Sequence, residues 1–241
     1  MHEYAKNRAK QQLTGAFAGV PFLVKDLFQE YAGIPTSYGC NALKSRQYTP
    51  ETNAEIVNRW EKAGIITFGR TNTPEFGIKG ITEPDAWGSC SNPWHLKHNS
   101  GGSSGGSASA VAAGIVPIAG AGDGGGSIRI PASYCGLFGL KPSRGRTPWG
   151  PQMSEGMHGA VIQHVLTKSV RDSAAMLDAT HGFENSSLFK IEKPERPFLE
   201  NLIRPPQQLK IAFNTQSPIG TKISKDAVAA VKHTAELLES L

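Results

Sequence analysis

No stretch of the 241-residue sequence approaches the roughly eighteen apolar residues that a membrane-spanning helix needs. Residues 1–12 are charged and helix-like and carry no apolar leader core. Cysteine is scarce: three residues, at positions 40, 90 and 135, form no CxxC pair, and an odd count argues against a disulfide framework. A reducing, cytoplasmic setting is therefore expected. Lysine and arginine are dispersed despite the net charge of +5, with no basic run and no interleaved aromatics, which speaks against direct nucleic-acid contact. A balance of 39% hydrophobic to 19% charged residues excludes a disordered chain.

Apolar periodicity sets out the organisation. Ala54, Ile56, Val57, Trp60 and Ala63 form one stripe, so residues 51–63 are expected to be a helix that Gly64 ends. Residues 65–69 (IITFG) follow as a short buried strand. Residues 107–113 suggest a small-residue helix, 115–119 an apolar strand, 169–181 another helix and 209–213 (LKIAF) a further strand. Alternation of this kind predicts an α/β layered fold. Residues 184–206, rich in proline and charge, are expected to cross the surface. Ser224 is a candidate N-cap for a last helix with Val228, Val231, Ala235 and Leu238 on one face. The sequence stops inside that pattern, and the expectation is a chain cut at that point.

Charge is nearly absent from the middle of the chain. Between Lys97 and Arg129, Asp123 is the only formally charged side chain, while ten of the 27 glycines lie between Gly101 and Gly126. A flexible linker would not interleave AVAAGIVPIAG, so close packing of backbone explains the stretch better. Three motif readings compete for it. Gly120, Gly122 and Gly125 satisfy GxGxxG, but SIRIP with Pro131 reads as extended where a dinucleotide site needs a helix. No acid occurs between Asp123 and Glu155 to hold a ribose. GGSSG at 101–105 satisfies the GxSxG of a nucleophile elbow, but WHLKHNS before it is not an apolar strand. The histidines at 158, 164, 181 and 233 have no supporting context for that class.

The third reading uses Ser127, directly after Gly124, Gly125 and Gly126. Consecutive glycines let backbone N–H groups converge beside a serine oxygen, which is what acyl transfer requires. Lys25 ends the apolar run GVPFLVK. A buried lysine loses its proton easily and can serve as a base, whereas an ordinary strand lysine snorkels to solvent; spacing alone favours the ordinary lysine. His95 and His98 give HxxH without a third ligand, Cys135 reads as a packed small hydrophobe, and SLFK at 187–190 stands without companion motifs.

These residues together resemble the amidase signature family. GVPFLVKD at 19–26 is similar to its lysine motif. AGIITFGRTNTPEFG at 63–77 and NPW at 92–94 resemble its intervening blocks. GGSSGGSASAVAAG at 101–114 and GDGGGSIRIPASYCGLFGLKPSRGR at 122–146 resemble the signature, whose core spans about 99–146, and LKIAFNTQSPIGT at 209–221 resembles the segment that follows it. The resemblance implies a mixed central sheet flanked by helices on both faces, with 1–241 a single amidase-type α/β domain incomplete at both ends.

It also implies the chemistry. Ser127 would be the nucleophile, Ser103 the bridging serine and Lys25 the general base, with a cis bond between Gly102 and Ser103. Backbone amides of Gly124, Gly125, Gly126 and Ser127 would form the oxyanion hole, and Asp123 and Arg129 a supporting pair. The implied function is hydrolysis of a small-molecule amide through a serine acyl-enzyme, with no metal or organic cofactor and no membrane; pairing of two copies of the chain is left open. Two alternatives stand beside it: a glutamine-dependent amidotransferase subunit for misacylated transfer RNA, and a truncated, inactive remnant.

Overall fold

A computed structural model describes residues 1–205 and 208–241. They divide into two compact units, Met1–Ile203 and Arg204–Leu241. The first opens with α1 (His2–Ala9), β1 (Pro21–Lys25), α2 (Asn41–Ser45), α3 (Glu55–Lys62) and β2 (Ile66–Thr71). A hairpin of β3 (Ser91–Asn92) and β4 (His95–Asn99) leads into α4 (Gly105–Ala112), β5 (Ile118–Asp123), α5 (Arg129–Cys135) and β6 (Phe138–Gly139). Then come β7 (Ile162–Thr167), α6 (Val170–Thr180) and α7 (Phe198–Asn201). No helix of the described residues is long and apolar enough to cross a membrane.

Five strands form one sheet in the order β2-β1-β5-β7-β6, with β2, β1 and β5 parallel and β7 antiparallel to both of its neighbours. The sheet is thus mixed, and alternation along β1 divides the core between its two faces. Phe22 and Val24 pack with Val57 and Trp60 of α3 and Met176 of α6. Leu23 packs the other way, with Ala110 and Val111 of α4 and with Ala119. Helices therefore cover both faces, as an α/β fold with buried central parallel strands requires. The predicted helical stripe is the reason α3 docks: Ala54, Ile56, Val57, Trp60 and Ala63 are all buried.

Two expectations are revised, and one strand is added. SIRIP is not extended: its last three residues begin α5 after the N-cap Ile128, with Pro131 at the third helical position. A first-turn N–H has no intrahelical acceptor, so the missing donor of proline costs nothing there. Residues 162–167, not singled out from the sequence, form β7, buried at all six positions. Residues 209–213 form no strand, because nothing among the described residues pairs with them. In the second unit, Leu209, Ile211 and Phe213 are exposed and line a groove with Val231, Ala235 and Leu238 of α8 (Lys225–Glu239), whose N-cap Ser224 accepts from Ala227 N–H. The expected surface excursion at 184–206 carries turns and α7 up to residue 205, and its end at Pro206 lies outside the described residues.

Candidate active site

Parallel neighbours put their carboxyl ends at the same edge of a sheet, where α/β folds place their ligands. Lys25 is the last residue of β1, and Gly124 follows directly on the last residue of β5. The segment entering α4 supplies the third piece, with Ser103 just before its N-cap Ser104. The Gly102–Ser103 bond is cis. Lys25 and Ser103 are each 2% exposed, and Lys25 Nζ donates to Ser103 Oγ at 2.7 Å. Burial pushes the Lys25 amine down to about 7, against the charge of Asp123, which acts to raise it. An amine of that pKa is readily neutral and can take a proton.

Ser127 is half-buried and lines a cavity of about 350 Å³ together with Lys25, Ser103, Gly124 and Gly125. Its carbonyl accepts from Ser104 N–H at 3.2 Å, which ties the glycine loop to the start of α4. Asp123 organises that loop. Its carboxylate accepts from the N–H groups of Gly126, Ile128 and Arg129, and the Arg129 guanidinium grips both oxygens at 2.9 and 3.0 Å. Burial alone would raise the Asp123 carboxyl, but these bonds hold it below its ordinary range. The Gly126 N–H is thereby committed to Asp123. Gly124, Gly125 and Ser127 keep amides with no acceptor among the described residues.

The cavity is completed by residues that the sequence did not single out: Phe28, Phe76, Ile78, Met157 and Gln163 among them. Phe28, Phe76 and Met157 have φ of 57°, 49° and 50°. Left-handed backbone at such residues concentrates where a site imposes it. No histidine lines the cavity, so the nucleophile-elbow reading of GGSSG has no base. His164 is buried elsewhere, with its Nε2 2.9 Å from Ser173 Oγ. The rings of His95 and His98 meet edge to face with centroids 4.4 Å apart, but no cluster of metal-ligating side chains occurs among the described residues. Burial pushes the Cys135 thiol up to about 11, as befits a packed residue.

Residues 1–241 match the family described as Amidase. The chain belongs to the amidase signature family. This amidase-family chain is 39% identical over 242 residues to the 6-aminohexanoate-cyclic-dimer hydrolase of Paenarthrobacter ureafaciens, covering 99% of itself and 49% of that protein. A solved structure of 6-aminohexanoate cyclic dimer hydrolase matches it with a TM-score of 0.94 at 38% identity, over 99% of this chain and 50% of the other. A bacterial aryl acylamidase of the amidase signature family matches at 0.75 and 33%, over 83% and 43%. The chain spans about half the length of these relatives.

Proposed function

We propose that this chain carries the catalytic machinery of an amidohydrolase, cleaving a carboxylic amide through an acyl-enzyme on Ser127 with water as acceptor. The observation that carries the reading is the buried 2.7 Å contact between Lys25 Nζ and Ser103 Oγ inside the cavity that Ser127 lines. Ser127 Oγ attacks the amide carbon, its proton passing to Ser103 Oγ as the Ser103 proton passes to neutral Lys25. The carbonyl oxygen gains charge as the tetrahedral intermediate forms, and in this reading the free amides of Gly124, Gly125 and Ser127 receive it. The proton then returns along the same route to the departing amine as the C–N bond breaks. Water repeats the sequence on the Ser127 ester and releases the acid.

Asp123 and Arg129 act in this reading as supports of the loop. The two compact units belong to one amidase-type domain, working in the reducing setting that three free cysteines favour. The test is twofold: release of ammonia or amine from short linear amides, and labelling by a fluorophosphonate. Both should vanish in Ser127→Ala. Turnover that survives this substitution would refute the assignment.

A further inference from the structure

Gly120 and Gly122 satisfy part of a dinucleotide fingerprint in the sequence, and the proposed reaction makes no use of them. Their neighbours account for both. A Cβ at Gly120 would stand 2.3 Å from Gln29 Oε1, and one at Gly122 would stand 3.0 Å from Gln163 Oε1. The two glycines make room along β5 for two amide side chains, on residues only 0% and 2% exposed.

Backbone groups fix which way these amides face. The Lys25 N–H can only donate, and it donates to Gln29 Oε1 at 2.7 Å. The Ala121 carbonyl can only accept, and Gln29 Nε2 donates to it at 3.2 Å. Gln29 thus presents its nitrogen to Gln163, so the Gln163 atom it meets at 3.0 Å must be Oε1. The free end of Gln163 is therefore Nε2. It has no protein acceptor among the described residues, it is not sealed from solvent, and Gln163 lines the cavity of Lys25, Ser103 and Ser127.

We propose that Gln163 is a substrate-recognition residue, its Nε2 donating to a second oxygen acceptor beside the scissile amide, so that the favoured substrates are amides bearing a further carbonyl or hydroxyl. The inference rests on the reading of this cavity as an amide-hydrolysing site. The scissile carbonyl already has the amides of Gly124, Gly125 and Ser127 to meet it. A ligand without a second oxygen leaves a held N–H desolvated and unpaired, which is the situation that separates hydrogen-bonding substrates from their apolar analogues.

The experiment is calorimetric titration of the Ser127→Ala chain, which cannot turn its ligand over, with pentanediamide and with pentanamide. Pentanediamide should bind about tenfold more tightly, the scale of one hydrogen bond to a buried donor. Gln163→Met in the same background keeps the side-chain volume and should bring the two dissociation constants within about twofold. Gln163→Glu, which presents no N–H when ionised, should do the same and answers the question should the methionine variant fail to fold. Equal affinity, or binding of neither ligand, in the Ser127→Ala chain would overturn the proposal, as would a preference that survives in both Gln163 variants. Hydrolysis by the chain with Ser127 intact is measured apart: its absence counts against the proposed function and leaves the binding ratio standing.

Discussion

Lys25 Nζ and Ser103 Oγ lie 2.7 Å apart although 78 residues separate them in the chain. The amine is buried and its pKa falls to about 7, so it is neutral above that pH and charged below it. Hydrolysis should therefore fall about tenfold per pH unit below pH 7 and level off above it. Lys25→Arg, whose guanidinium keeps its proton, should lower kcat/KM by at least about 10²-fold. A flat pH–rate profile, or a fully active arginine variant, would contradict the role.

The same lysine has a stability signature. Its folded pKa lies below the unfolded value of 10.5, so the unfolded chain binds more protons between pH 7 and 10.5, and stability rises with pH across that window. Lys25→Met removes the cost of burying the amine. Its melting temperature should exceed that of the parent at pH 6 by more than it does at pH 9.

Glycines near the site should differ sharply in their tolerance of a methyl group. At Gly120 a Cβ would meet Gln29 Oε1 at 2.3 Å and Trp60 Cη2 at 2.9 Å, both on fully buried residues. Gly120→Ala should cost about 2 kcal/mol in denaturant unfolding. At Gly125 nothing lies within 4 Å and φ is not positive, so Gly125→Ala should stay within about 0.5 kcal/mol of the parent.

Within the ion pair, the carboxylate should matter more than the guanidinium. Asp123 is fully buried and serves three backbone donors, whereas the Arg129 side chain is 54% exposed. Asp123→Ala leaves those donors unsatisfied and should destabilise by about 3 kcal/mol. Arg129→Ala should cost about 1 kcal/mol, because water can reach the vacated side. Chemical unfolding of the two variants side by side checks the order.

Acid should act through His164. Burial pushes this imidazole down to about 3 from 6.5, so the unfolded chain takes up its proton first and the stability it contributes is lost as pH falls from about 6.5 towards 3. In His164→Asn, unfolding free energy should change less between pH 7 and pH 4.5 than it does in the parent. An unchanged slope would place the acid sensitivity elsewhere.

Much of this molecule was legible before any coordinates. The stripe of Ile56, Val57 and Trp60 announces α3, and the small residues of 107–113 announce α4, because a helix that buries one face must repeat its apolar positions every three to four residues. The long motifs around Lys25, Ser103 and Ser127 carry the family resemblance, and their residue types state the chemistry they could support. Local pattern served less well where a neighbour decides the outcome. Leu209, Ile211 and Phe213 have the alternation of a strand, yet a strand exists only where another strand pairs with it. Pro131 suggested extension because its place in a helix depends on where the helix starts, and Asp123, six residues ahead of Arg129, helps fix that start.

Other facts belong to the tertiary structure alone. Gln29 and Gln163 are 134 residues apart and carry no motif; they meet because β7 runs antiparallel beside β5 and Gly120 and Gly122 leave them space. The pKa of Lys25 is likewise a property of its surroundings, since desolvation comes from atoms contributed by distant segments. Residue types and periodicity fix which helices and strands can form and which side chains can do chemistry. Distances, burial and the direction in which an amide faces arise only when the chain closes on itself, because each depends on contacts between residues far apart in sequence.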